Sequence, residues 1–225
     1  LSARAYARFY RRAFQEAIAD LETILESRPE SASLLVSLGD VQVGLAYEQA
    51  LSGRDTREDY RKAIARYDAA EKLQRDVPSF HLGRGHAWHR LAQAESDRGG
   101  DPSEMVARAR SDYQAEIATG GPSARHARFN RGQHLCWWGI TLTQNGGDPI
   151  PSLDEAVEDF TRMLRENSDD VGALSGRGNA RTRIGEAQAR AGSDPRPSYE
   201  HALADLDRAV ELDGQDLSAR ANRAR

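Results

Sequence analysis

Residues 202–213 read Ala-Leu-Ala-Asp-Leu-Asp-Arg-Ala-Val-Glu-Leu-Asp, with small or apolar side chains at 202, 206, 209 and 210. That is the i, i+4, i+7 rhythm of a helix with one buried face. The pair at its head, Ala202 and then Leu206 four residues on, recurs along the chain. It stands at Ala17 and Leu21, Ala63 and Tyr67, Ala109 and Tyr113, and Ala156 and Phe160. Between these pairs glycines fall at Gly39, Gly85, Gly132 and Gly178, in steps of 46, 47 and 46. A period of this size marks a repeat architecture in which each unit buries its apolar face only against its neighbours.

Composition narrows the function classes. A net charge of −4 and an isoelectric point near 5.9 argue against a dedicated nucleic-acid surface. No apolar run approaches the roughly 18 residues that a membrane helix needs, so no membrane association is expected. The first residues, Leu-Ser-Ala-Arg-Ala-Tyr-Ala-Arg, lack the apolar core of a signal peptide. The single Cys136 excludes an internal disulfide framework and points to a cytoplasmic setting.

Glycine and proline clusters cut the chain into helices that alternate between two kinds. Helices carrying the glycine (A) are expected at 32–52, 79–97, 123–144 and 170–191. Helices carrying the alanine (B) are expected at 10–27, 56–74, 103–118, 152–166 and 197–212. The A-to-B loops also repeat: Gly53-Arg-Asp55-Thr56, Gly99-Gly-Asp101-Pro102, Gly147-Asp148-Pro149 and Gly192-Ser-Asp194-Pro195. Glycine can take the left-handed conformation that ends helix A. Aspartate then caps helix B, and proline fits its first turn, where a missing N–H costs nothing. Ser152 and Glu155 offer a competing capping box. The acidic loops are capping devices in this reading, since none supplies the several oxygens that calcium requires.

The units resemble the tetratricopeptide repeat. The resemblance lies in Asn130-Arg131-Gly132 on an A helix, in residues 202–213 on a B helix, and in Ala17-Ile-Ala-Asp20-Leu21 through Pro29, which is similar to the second half of a repeat. It implies an all-α, right-handed α-solenoid of antiparallel helix hairpins, a superhelix in which a small residue of helix A admits the alanine and aromatic of helix B. The departure is length. A standard unit has about 34 residues, against 46 or 47 here. From glycine to alanine the distance is 24 in every unit, and from that alanine to the next glycine it is 22, 22, 23 and 22. The family's spacings are about 12 and 22, so the extra residues lie within the hairpin, which should be taller.

Charge follows the same register. Arg84, Arg131 and Arg177 precede three of the glycines, and Asp112, Asp159 and Asp205 stand on the matching B helices. Where Leu38 replaces the arginine, Arg66 replaces the aspartate. Pairing within a hairpin avoids like charge in every unit, whereas pairing to the preceding unit would set Arg84 against Arg66. An intra-hairpin salt bridge follows, and these arginines are expected to be structural.

The organisation expected is a single solenoid over 1–225. It comprises a partial first repeat (1–29), full repeats at 30–76, 77–121, 122–168 and 169–214, and the start of a further repeat at 215–225. Neither end shows a polar cap, so the chain reads as part of a longer protein able to self-associate through its ends.

The resemblance places ligands on the concave surface lined by A helices, at positions one, four and five after the glycine and three before it. These are Asp40, Val43 and Val36; His86, His89, Arg90 and Leu82; Gln133, Cys136, Trp137 and Phe129; and Asn179, Thr182, Arg183 and Ser175. The set expected to bind is His86, His89, Arg90, Phe129, Gln133, Trp137, Asn179 and Arg183. Of the adjacent Trp137 and Trp138, one is expected in the core and the other as an anchor, and Trp88 is assigned to packing. The histidines lack the third and fourth ligands zinc would need. Gly83-Arg-Gly85 and Gly176-Arg-Gly178 follow no strand, so they are not phosphate loops. No nucleophile, base and orienter converge. The expectation is a non-enzymatic scaffold without metal or cofactor that binds a protein or peptide. Alternatives are the regulatory or substrate-selecting region of a larger enzyme, such as a kinase or transferase, and an architectural or oligomerisation module.

Overall fold

The structure is a computed structural model, and it describes residues 13–73 and 80–213. Among them the chain is all helix: α1 Phe14–Ser27, α2 Ala32–Leu51, α3 Arg57–Leu73, α4 Phe80–Ser96, α5 Ser103–Ala118, α6 Ala124–Gln144, α7 Ile150–Glu166, α8 Val171–Arg190 and α9 Arg196–Leu212. The even-numbered helices are the expected A helices and α3, α5, α7 and α9 the B helices of the same hairpins. The fold is an all-α solenoid of antiparallel hairpins. The expected lead-in to the first repeat, at 1–12, and the restart of a further one, at 214–225, lie outside the described residues. Two compact units divide the chain, residues 1–116 and 117–225. In the first, α2 packs on α1, α3 and α4; in the second, α8 packs on α6, α7 and α9.

The repeat glycine does what its spacing implies. A Cβ built on Gly39 would lie 2.7 Å from the Tyr67 ring, one on Gly132 2.7 Å from Phe160, one on Gly85 3.0 Å from Tyr113, and one on Gly178 2.7 Å from Leu206. The alanines at 17, 63, 109 and 156 have no exposed surface and Ala202 almost none. A second glycine, two residues before the repeat glycine, meets the same ring from the next hairpin. A Cβ on Gly83 would lie 2.6 Å from the Tyr67 hydroxyl, and one on Gly176 2.6 Å from Phe160. Tyr67 and Phe160 are therefore slabs held between two A helices, and Gly-Arg-Gly is the spacing that serves two B-helix side chains at once, Tyr67 and Tyr113 or Phe160 and Leu206.

The added height of the hairpin has its own rung. Seven residues after the repeat glycine stands another small residue, Ala46, Ala92, Gly139 or Gly185. Three residues before the B-helix alanine stands a large one, Tyr60, Val106, Leu153 or Tyr199. A Cβ on Gly139 would meet Leu153 at 2.9 Å, and one on Gly185 would meet Tyr199 at 2.5 Å. Ala46 and Tyr60 share one buried cluster. The A helices of 17 to 21 residues are thus zipped at two levels, about 10 Å apart at 1.5 Å per residue.

The loops follow the expected chemistry with one shift of register. Gly53, Gly99 and Gly192 have φ of 79°, 77° and 74°, but in the third hairpin the left-handed residue is Gly146 at 77°, not Gly147. The aspartate always follows two residues after the left-handed glycine, and that spacing selects Gly146. Each aspartate accepts from the backbone N–H two residues on: Asp55 from Arg57 at 3.2 Å, Asp101 from Ser103 at 2.9 Å, Asp148 from Ile150 at 3.0 Å and Asp194 from Arg196 at 3.1 Å. Because Asp148 caps at Ile150, α7 starts two residues earlier than expected, and Ser152 and Glu155 lie inside it.

Replacing a mid-helix glycine by alanine ordinarily stabilises a helix by about 1 kcal/mol. Gly176→Ala should instead destabilise the protein by about 1–3 kcal/mol, because the Phe160 ring, backed by Gly132, has nowhere to retreat. Denaturant titration of Gly176→Ala against wild type measures the sign.

Candidate functional site

Side chains on an A helix divide by direction. At about 100° per residue, and with the repeat glycine at 0° facing its own B helix, the residue two before it and the one five after it lie at about 140–160°. That direction meets the preceding B helix, as Gly83 does at Tyr67 and as Gly44 does at Phe14, 2.7 Å from its would-be Cβ. The arginine just before the glycine points at about 260°, between the two B helices. The opposite direction, about 80–100°, holds the residues one and eight after the glycine.

The arginines are bound up in the fold. Arg84 donates through Nε and Nη2 to Asp112 at 2.9 and 2.8 Å, Arg131 to Asp159 at 2.7 and 2.6 Å, and Arg177 to Asp205 at 2.8 and 2.6 Å. The intra-hairpin pairing is therefore as expected, and two-pronged. A third arm reaches the preceding hairpin, five residues past its alanine. Arg84 Nη1 donates to Asp68 at 2.8 Å, and also to Glu71 at 2.6 Å, while Arg177 Nη1 donates to Thr161 at 3.2 Å. Burial alone would depress the pKa of Arg84, but the bonds to Asp112, Glu71 and Asp68 outweigh it and raise the pKa. In the exchanged unit Arg66 turns to Glu22 of α1, at 3.3 Å.

The outward line is different in kind. In the first unit Asp40 is exposed and accepts from the Tyr67 hydroxyl at 2.6 Å. Desolvation by the helices around it raises its pKa to about 6, against the lowering effect of that bond. His86 is half-buried; burial, then the nearby Arg90, lowers its pKa to about 4, so the ring is neutral at neutral pH. His89 is half-buried. Arg90 lies 4.4 Å over the ring of Tyr47 and donates to Gln93 at 3.0 Å. Tyr47, eight residues after Gly39 and 40 % exposed, shares the outward direction with Asp40.

In the second unit Gln133 is exposed, and Trp137, Asn179 and Arg183 are half-buried. Arg183 donates to Glu186 at 3.0 Å. Phe129 packs edge-on against Phe160, with centroids 5.9 Å apart, and joins the core rather than standing clear of it. Trp137 and Trp138 are both half-buried, with ring centroids 6.3 Å apart, so neither is the expected core residue. At about 140° and 240° from the glycine, neither faces its own B helix. Trp88 packs against the first unit's core, as expected, with Arg108 5.1 Å from its ring.

Val36, Val43, Cys136, Ser175 and Thr182 are buried, although the resemblance places them on the binding surface. At about 40–60° from the glycine they face the flank of their own hairpin. Burial pushes the Cys136 thiol up to about 12. The residues eight after the glycine, Tyr47, Gln93, Ile140 and Glu186, replace them on the outward line. Their register, at about the same angle as the residue one after the glycine, was the signal that would have found them. Among the described residues no group of three or more His, Cys, Asp or Glu is placed to hold a metal ion, and no helix is long and apolar enough to cross a membrane.

A tall two-helix repeat with a small-residue slot, an aromatic slab and a stacking period of one hairpin identifies the architecture. That architecture is similar to the tetratricopeptide-repeat fold. A family model described as tetratricopeptide repeat matches residues 2–45. Among solved structures the chain is similar to MamA (41-end) from Desulfovibrio magneticus RS-1, at 13 % identity and a TM-score of 0.60, covering 95 % of this chain and 94 % of that one. It is also similar to Acl4, the assembly chaperone of RpL4, at 17 % identity and a TM-score of 0.50, covering 99 % and 92 %. These likenesses concern the fold. No curated protein matches the sequence.

Two outcomes check the electrostatics. Arg131→Ala strands Asp159, whose side chain is 1 % exposed, and should cost about 3 kcal/mol in a denaturant titration. A histidine held neutral adds stability that is complete above its unfolded pKa and lost as pH falls towards its folded one. His86 should therefore remain neutral by proton NMR down to about pH 5, and His86→Gln should flatten the stability loss between pH 6.5 and 4.

Proposed function

We propose that the protein is a non-catalytic interaction scaffold that binds an extended peptide or a helix of a partner protein along the outward line of its A helices and the adjoining positions five after the glycine. The observation that carries this reading is a division of labour. The most regular charges, Arg84, Arg131 and Arg177, are consumed in holding hairpins together. Gln133, Trp137, Asn179 and Arg183 in one unit, and Asp40, Tyr47, His86, His89 and Arg90 in the other, lie outside that framework and differ from repeat to repeat.

Variation at fixed positions on a rigid array suits selective recognition, since docking then orders few side chains. Aromatic and arginine side chains such as Trp137 and Arg183 are the types that dominate interface energy. Acl4, which shares the fold, is an assembly chaperone of another protein, RpL4; by analogy the array here also engages a protein.

Dodecapeptides selected by display against the full chain supply a probe. The double variant Trp137→Ala, Arg183→Ala should lose about tenfold or more in affinity for peptides seated on the second unit, with its helical circular dichroism retained. Unchanged affinity across the selected set would remove the A-helix line as the binding surface.

A further inference from the structure

Asp40 stands apart from the other carboxylates of the framework. Asp112, Asp159 and Asp205 each take two guanidinium bonds from the arginine of their own hairpin. In the first full hairpin that arginine is Leu38, and the charge at the matching position, Arg66, is turned to Glu22. Asp40, on the other side of α2 from Leu38, faces the space between α2 and α4, beside Gly83 and Tyr67, with no cation against it among the described residues.

What surrounds it is fixed and nearly uncharged. From α3 comes the Tyr67 hydroxyl, on a ring with no exposed surface, pinned between Gly39 and Gly83. From α4 comes Gly83, whose Cβ, were there one, would lie 2.8 Å from Asp40 Oδ1. His86 of α4 is neutral, and Arg90 of α4 is engaged with Tyr47 of α2 and with Gln93.

We propose that Asp40 is the receptor for a cationic side chain, arginine or lysine, of a peptide bound on the A-helix line of the first unit. The inference rests on the scaffold reading and names the partner chemistry for this unit. Tyr67 holds Oδ1 and so orients the carboxylate before any partner arrives, which removes an ordering cost from binding. Oδ2 has no protein donor among the described residues. Gly83 leaves the carboxylate room against α4 that any side chain would fill. A guanidinium or ammonium would supply the charge-assisted bonds that arginine gives the other aspartates. Desolvation by the surrounding helices raises its pKa to about 6, against the lowering effect of the Tyr67 bond.

The test uses the full chain and three blocked glycine–serine decapeptides carrying two arginines, two glutamates or neither. The Asp40 carboxyl carbon is followed by NMR against pH. The arginine peptide should lower the midpoint from about 6 by one unit or more. Its affinity should fall about tenfold from pH 7 to pH 5, as the proton competes with the cation. Asp40→Asn, which keeps an acceptor for Tyr67, should weaken that peptide about tenfold and leave the thermal midpoint at pH 7 unchanged or higher. A midpoint that the arginine peptide leaves in place, or equal binding by the Asn variant, overturns the proposal. If all three peptides bind wild type and variant alike, the cation receptor fails while the scaffold reading stands. If none binds, this site fails, and the display-selected peptides judge the scaffold reading separately.

Discussion

The structure depends on one steric constraint: an aromatic ring seated between two glycines that belong to successive A helices. With Gly132 on one side of Phe160 and Gly176 on the other, neither helix can carry a Cβ at the contact. The ring thickness then sets how closely consecutive hairpins stack, and close stacking brings the rest of the framework within reach. Only at that separation can one guanidinium touch its own B helix and the preceding one, as Arg84 does with Asp112, Asp68 and Glu71. Burying these carboxylates would be costly without such pairing. The slot and the ion pairs are thus successive consequences of one approach distance.

That geometry sorts the surface of each A helix into sectors, and the sorting separates stability from recognition. Residues at the glycine and seven after it, and Gly83 and Gly176 two before it, are small because a B helix lies against them. The residue before the glycine is spent on charge pairing. What stays free to vary is the outward line, one and eight residues after the glycine, joined in part by the residue five after. Lengthening the hairpin adds a rung on the inside, Gly139 against Leu153 and Gly185 against Tyr199. By the same stroke it adds a turn to the outward line, so Tyr47 stands beyond Asp40 where a shorter helix would already have ended.

Contacts within a hairpin were legible in the sequence because their spacing is constant. The distance of 24 from glycine to alanine tied Arg84, Arg131 and Arg177 to Asp112, Asp159 and Asp205 without any coordinates. Contacts between hairpins were harder to read. The like-charge clash of Arg84 with Arg66 ruled out one inter-hairpin pair, but the arginine's third arm lands two residues further on, at Asp68 and Thr161, where sequence spacing alone sets no expectation. The first glycine of Gly-Arg-Gly, Gly83 or Gly176, has no role legible from spacing, since its partner ring lies in the hairpin before. The outward line was partly misplaced for a related reason. Positions such as Val43 and Cys136 are within one helical turn of it, and only the direction of the neighbouring hairpin shows that they are buried.

The slot residue also reaches the recognition surface. Where the slot holds Phe160 or Leu206, there is no hydroxyl to extend beyond the glycine, and the outward residues are the amides Gln133 and Asn179. Where it holds Tyr67, the hydroxyl emerges beside the residue one after the glycine and organises a carboxylate there. A side chain chosen for packing thus conditions the chemistry of the outward line without itself being exposed. Neighbouring repeats can then differ in the charge they accept while the stacking that carries them stays the same.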